Sequence, residues 1–312
     1  DTQRSVLVLL ARALFGADAM PKKKRRRKAL EQEREQEEDE VAEQEEEEAF
    51  TAVDATATDV EFSFCNPEES DYHGVGELLK GGTWAFADVN FSELTDCIVG
   101  QGNVGTLVKS DAEGSDETVC GFLTALNLRQ FESLAWPGQV QKALLAKARQ
   151  HADAATVQKL RNWLSGHEPK GEVGLLLSER FANLPQELVP PLHQALQDDI
   201  EWSCSTPECP EEERPFYGFT HFVSMVRYGG AARADVGPES AGGKAASSDM
   251  AQEACVRFED DVYRRRASFS FSFTAPRQGD GQPREKRLVF GITRKNFERA
   301  VKELRDASEG QS

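Results

Sequence analysis

From Val173 the chain runs through Val173, Gly174, Leu175, Leu176 and Leu177, an apolar stretch of strand length, and then turns polar at Ser178, Glu179 and Arg180. Beyond Leu184-Pro185, apolar residues recur every three or four positions at Leu188, Val189, Leu192, Leu196 and Ile200. The two periods predict a buried strand, a turn beginning at Ser178, and an amphipathic helix. Pro190 and Pro191 fit only the first turn of that helix, where amide hydrogens have no partner within it. Upstream, residues 60–64 alternate strictly, as in a strand with one buried face. Val75, Leu78 and Leu79 mark a helix that Ser70 or Asp71 caps and Gly81-Gly82 ends. Phe91, Leu94 and Ile98 mark a second helix, over about 88–98, before strands at 104–108 and 120–128 joined by an acidic hairpin loop at 110–118. Pro137-Gly138 introduces two more helices, one with Val140, Leu144 and Leu145, the other with Val157, Leu160 and Leu164, the second broken at 166–169.

Downstream, residues 216–228 are aromatic and β-branched and predict a strand, whereas 231–254 are Ala-, Gly- and Ser-rich without periodicity and predict a flexible loop. Phe269, Phe271 and Phe273 alternate with serines, and Leu288, Phe290 and Ile292 follow a Gly-rich connection, which is a hairpin pattern. Phe297, Ala300, Val301 and Leu304 form one face of a helix packed on it. Strands interspersed with helices throughout predict an α/β (α+β) fold, a mixed central sheet covered by helices. In the module that begins at Val173, Leu177 and Phe181 read as core, so truncating either to alanine is expected to cost about 2–5 kcal/mol.

Composition divides this picture. The 312 residues carry a net charge of −17 with 39% hydrophobic content, and a mean hydropathy of −0.56 averages two unlike regions. Residues 59–308 read as one globular domain and residues 20–58 as a disordered tail, basic and then acidic. Residues 1–19, with an apolar run interrupted by Arg12, read as an extension of uncertain status ahead of Met20. Lys22, Lys23, Lys24, Arg25, Arg26, Arg27 and Lys28 read as a nuclear localisation signal for an import receptor, or as a solvated tail. Residues 31–48, almost all Glu, Gln and Asp, cannot build a core; they can shield a basic client, mask the basic run, or serve only to solubilise. A sequence pI near 4.9 disfavours direct nucleic-acid binding and favours basic protein partners. Six scattered cysteines in a chain this size point to a reducing compartment, and no apolar run reaches membrane-span length, so no membrane partner is expected.

The wording of Gly174, Ser178, Glu179, Arg180, Phe181, Asn183 and Pro185, V-G-L-L-L-S-E-R-F-x-N-x-P, resembles the signature of the BCCIP family. That family comprises nuclear proteins named for binding the breast-cancer type-2 susceptibility protein and a cyclin-dependent-kinase inhibitor. Further blocks stand in the family's order: Asp71-Tyr72-His73-Gly74-Val75 with Leu78-Leu79, Glu93-Leu94-Thr95-Asp96, Val104-Gly105-Thr106-Leu107-Val108-Lys109, and the G-F-L-T-A-L-N-L stretch from Gly121 to Leu128. The resemblance covers roughly residues 60–304. It implies an adaptor or chaperone, resident in the nucleus or shuttling between nucleus and cytoplasm, for basic clients such as a ribosomal protein or a nuclear regulatory factor. The implied roles are ribosomal large-subunit protein handling, nuclear export, and cell-cycle or DNA-repair regulation. It also implies a fold like that of GNAT-type N-acetyltransferases, with the signature residues serving as structure or as partner contacts.

Residues that could carry chemistry are few. No P-loop, nucleophile elbow or H-E-x-x-H occurs. Glu179 and Arg180 read as an acid and an anion clamp, or as an internal ion pair or a cap of the following turn. Cys204 and Cys209 have a spacing that, with His193 or His221, would suit zinc, but a second paired unit is missing. Arg264-Arg265-Arg266-Ala267-Ser268 resembles a basic-directed kinase site overlapping a predicted strand. The nearest approach to an acetyl-CoA turn, Gln101-Gly102-Asn103-Val104-Gly105-Thr106, has Val104 where the first glycine is needed and leads into a strand rather than a helix. No enzyme activity, cofactor or metal is therefore expected, with an N-acetyltransferase as the alternative.

Overall fold

The computed structural model describes residues 61–111, 117–166, 171–231, 253–276 and 285–309. The chain divides into two units, 1–57 and 58–312, and all described residues lie in the second. The basic run at 22–28, the acidic stretch at 31–48, the extension at 1–19 and nearly all of the loop expected at 231–254 fall outside the described residues.

Among the described residues, eight strands are interspersed with eight helices. They run β1 (Glu61–Cys65), α1 (Tyr72–Lys80), α2 (Phe91–Gly100), β2 (Thr106–Asp111), β3 (Thr118–Asn127), α3 (Ala135–His151), α4 (Ala154–Ser165), β4 (Glu172–Arg180), α5 (Val189–Ser205), α6 (Arg214–Tyr217), β5 (Phe219–Ala231), β6 (Glu253–Cys255), α7 (Phe258–Arg265), β7 (Phe269–Thr274), β8 (Lys286–Thr293) and α8 (Arg294–Glu309). The strands make one sheet in the order β1-β2-β3-β4-β5-β8-β7, with β6 added beside β5. Every pairing is antiparallel except β4 with β5. This is the mixed sheet covered by helices that the patterning predicts.

Helices cover both faces. Leu175, Leu177, Phe122, Leu126 and Val289 pack against Leu79, Ile98, Trp136, Leu144 and Trp163 of α1–α4. Leu176, Leu123, Phe222, Phe290 and Ile292 pack against Leu192, Leu196, Tyr263, Phe297 and Val301 of α5, α7 and α8. Burial on both sides explains why β3 and β4 are nearly continuous apolar runs rather than alternating ones.

Several boundaries differ from expectation. β4 does not turn at Ser178: Ser178, Glu179 and Arg180 continue the strand, paired with Leu123, Phe122 and Gly121 of β3, because each polar group finds an internal partner. The strand expected at 216–228 runs Phe219–Ala231, and its first residues belong to the short α6, where Pro215 suits a helix start. The second helix begins at Phe91 because Asn90 accepts a hydrogen bond from Glu93 N. Asp71 stands at the N-cap of α1 without capping it. Its carboxylate accepts from Glu68 N at 3.0 Å and pairs with Lys109 at 2.8 Å, which ties the first family block to the third. Helix α7 was not anticipated.

Candidate functional site

The signature lies along β4 and the turn beyond it. Gly174 is opposite Phe222, and a Cβ there would stand 2.8 Å from the Phe222 ring and 3.0 Å from that of Phe219, so the close approach of β4 to β5 requires glycine. Glu179 and Arg180 project to opposite faces of the sheet. The Glu179 carboxylate accepts from Thr83 N at 2.5 Å, and Gly82 leaves it room: a Cβ there would sit 2.6 Å from it. Arg180 grips Glu259 of α7 with Nε at 3.2 Å and Nη2 at 2.9 Å. Neither residue pairs with the other, and neither is open to solvent, since their side chains are 6% and 8% exposed. Both are internal ion-pair partners, and no open anion clamp forms.

The parallel pairing of β4 and β5 extends only from Glu172 to Leu175 on β4 and from Phe219 to Val223 on β5. Beyond it the strands part, and Ser224 Oγ bridges the start of the gap by donating to Leu176 O at 2.9 Å. In open sheets with parallel strands, a crevice of this kind at the carboxyl ends is the usual ligand site. Here the chain fills it. β6 lies antiparallel on β5, Val256 N donates to Arg227 O, and Arg257 reaches across to β4. Its Nη1 donates to Ser178 O at 2.9 Å, its Nη2 donates to Arg180 O at 3.3 Å, and Nη2 lies 3.5 Å from the Glu179 carboxylate.

Beneath this wedge the titratable groups are shut away from water. Burial, reinforced by the neighbouring Glu259 charge, pushes the Asp260 carboxyl well above the usual carboxylate range. Burial lowers His193 to about 4, against the pull of Glu259, and its Nδ1 lies 2.6 Å from the Tyr263 hydroxyl. His193 and Asp260 are both buried, and burial disfavours the charged form of each, so the cluster reads as interior packing.

The remaining candidates separate. Gln101 ends α2 and donates to Val104 O and Ala125 O, while Gly105, at φ +126°, has its amide directed to Asp199. The Gln101 side-chain amide and the Gly105 backbone amide thus serve the fold. Cys204 is exposed and Cys209 buried, His193 is bound to Tyr263, and His221 packs on Trp163. Among the described residues no three His, Cys, Asp or Glu side chains gather as a metal site. Ser268 precedes β7, half-buried, with its backbone held by Gly291 and Lys159. No described helix is long and apolar enough to cross a membrane.

Phe181 departs from its expected place in the core: it is 45% exposed, whereas Leu177 is 2% exposed. Asn183 is exposed beside it, and Pro185 precedes a short 3-10 turn. The large hydrophobic residues exposed in the described surface are Phe181, Val256 and Phe258. Val256 and Phe258 flank Arg257, whose guanidinium holds the carbonyl one residue before Phe181. Sequence reading missed Arg257, Val256, Phe258 and Glu259. One signal was available: Glu259, Asp260 and Asp261 followed by Arg264 and Arg265 is the charge order of a short helix.

Comparison with known proteins accords with this architecture. The BCCIP family model matches residues 57–263. Protein bcp1 of Emericella nidulans is 30% identical over 219 residues, covering 69% of this chain and 71% of its own. The Xenopus laevis BCCIP homolog is 27% identical over 232 residues, covering 72% and 70%. The human BRCA2 and CDKN1A-interacting protein is 30% identical over 149 residues, 46% of either chain. The crystal structure of BCP1 from Saccharomyces cerevisiae superposes with a TM-score of 0.53 at 16% identity, covering 80% of this chain and 89% of that one.

Proposed function

This chain belongs to the BCCIP family, and on that premise we propose that it is a nuclear adaptor or chaperone for basic protein clients and not an enzyme. The observation that carries the proposal is the filled crevice: β6 and Arg257 occupy the opening where the only parallel pair in the described sheet diverges. A fold whose usual ligand site is taken by its own backbone offers its outer surface instead. The human relative's name describes it as interacting with BRCA2 and CDKN1A, which supports a protein-binding role here. A net charge of −17 and the acidic stretch at 31–48 support basic clients, held until they join RNA or a larger assembly. Ribosomal large-subunit protein handling, nuclear export, and cell-cycle or repair regulation all fit such a role, with the basic run at 22–28 as the address read by an import receptor.

The test uses the full chain and a chain lacking residues 31–48 against a purified core histone, with affinity measured from low to moderate salt. Binding should weaken steeply as salt rises, and the deletion should lose part of the low-salt affinity with an unchanged melting temperature. Equal binding by both chains at every salt concentration would remove the acidic stretch from the mechanism. A stoichiometric calorimetric isotherm with acetyl-CoA would favour an N-acetyltransferase instead.

A further inference from the structure

We infer that the groove between Arg266 and α8 binds a phosphorylated serine or threonine of a partner protein, with Arg299, Lys302 and Arg266 as the donors to its phosphate. The inference goes beyond the basic-client reading and does not depend on it, because it concerns an anionic ligand. The groove is open, has a volume of about 600 Å³ and is lined by Arg266, Arg299, Lys302, Glu303, Asp306 and Ala307, so the three cations face one space. On a chain with a net charge of −17, such a convergence needs an explanation.

The helix sequence by itself would neutralise these cations. Glu298 stands four residues before Lys302, and Glu303 four residues after Arg299, which is the spacing at which opposite charges pair along a helix. Both carboxylates are engaged elsewhere. Arg294 holds Glu298 through Nε at 2.6 Å, while Arg265 holds Glu303 Oε1 at 2.7 Å and Arg266 holds Oε2. Arg299 and Lys302 are exposed and, among the described residues, make no ion pair or hydrogen bond. Arg266 uses Nε and Nη2 on Glu303 and leaves Nη1 without a bond. Asp306, the other carboxylate of the groove, lies 3.9 Å from Arg305. Arg299 and Lys302 stand about two turns or more before the end of α8 at Glu309, so complementing the helix dipole does not account for them.

The surplus of donors selects the anion. A free guanidinium fork, a free ammonium and the spare edge of a second guanidinium exceed what a single carboxylate can satisfy. A phosphate monoester brings three acceptor oxygens and nearly two charges to one point, and arginine's planar fork suits it. A nucleic-acid strand fits less well. From 299 to 307 the groove follows about 12 Å of helix, too short for a track of backbone phosphates. Glu303 and Asp306 interrupt it, and a chain of pI near 4.9 repels a long polyanion beyond it.

The test measures binding of the full chain to two degenerate peptide libraries, one with a fixed central phosphoserine and one with serine in its place. The wild type should prefer the phosphorylated library by roughly tenfold or more. Arg299→Ala with Lys302→Ala should abolish that preference and leave the circular dichroism spectrum and the melting temperature unchanged, since both side chains are exposed and alanine is the stronger helix former. Lys142→Ala with Arg161→Ala removes the same charge from exposed positions on α3 and α4, which cover the other face of the sheet, and should keep the preference. No preference in the wild type, or one that survives in the Arg299 and Lys302 variant, would overturn the site. Equal loss in both double variants would reduce the effect to net charge and overturn it as well. Tighter binding of a single-stranded oligonucleotide, lost in the Arg299 and Lys302 variant alone, would assign the groove to a nucleic acid and overturn the proposed occupant. None of these outcomes bears on the binding of a basic client, which the histone titration tests separately.

Discussion

Replacing Arg257 with alanine should destabilise the folded domain by about 2–4 kcal/mol, near the lower part of the range for breaking a buried pair. The magnitude follows from what the guanidinium holds. Its removal leaves the carbonyls of Ser178 and Arg180 without their donor and withdraws the cation beside Glu179, which retains the Thr83 amide. An unsatisfied buried acceptor costs about 1–3 kcal/mol, and the 16% exposure of the Arg257 side chain lets water recover part of that. Arg257→Lys should retain a charge near Glu179 yet lose the fork that spans two carbonyls, for an intermediate loss of about 1–2 kcal/mol. Urea denaturation of wild type, Arg257→Ala, Glu179→Gln and the double variant measures both the loss and the coupling, expected at about 1–2 kcal/mol. A loss under about 0.5 kcal/mol for Arg257→Ala with no coupling to Glu179 would refute the wedge, because a residue bridging a buried carboxylate and two strand carbonyls cannot be removed at no cost.

Leu177→Ala should cost about 2–4 kcal/mol and Phe181→Ala less than about 1 kcal/mol in the same assay, since one is buried and the other half in solvent. His193, lowered to about 4 by burial, refuses a proton that the unfolded chain accepts below pH 6.5. Stability should therefore fall as pH drops from 6.5 towards 4, by about 2–3 kcal/mol for this group. Asp260, raised by burial, acts with the opposite sign, so the check is the difference in urea midpoint between wild type and His193→Gln, which should widen towards neutral pH and shrink in acid. Replacing residues 22–28 with alanine should leave a fluorescently tagged chain in the cytoplasm, and undiminished nuclear signal in microscopy would discard that address.

The Phe269, Phe271, Phe273 alternation, the hairpin with β8 and the face of α8 were legible because side-chain period and turn chemistry are local properties that a few residues specify. The strand at Val173 and the helix bearing Pro190 and Pro191 in its first turn were legible for the same reason, and four ordered blocks were enough to point to the family. The ending of β4 was not. Ser178, Glu179 and Arg180 look like a turn until Thr83, Arg257 and Glu259 arrive from distant parts of the chain to satisfy them. α7 was hidden because a helix of eight residues leaves little room for periodicity, and its stability comes from tertiary packing on α8 and β6. Phe181 shows the same limit from the other side. An aromatic residue next to an apolar strand reads as core, but solvent access is decided by tertiary packing, and Phe181, one residue past the end of β4, is 45% exposed. The sequence by itself determined the elements, the acidity and the family, whereas the filled crevice and the exposure of Phe181 were decided by long-range pairing, whose free energy no local window of sequence contains.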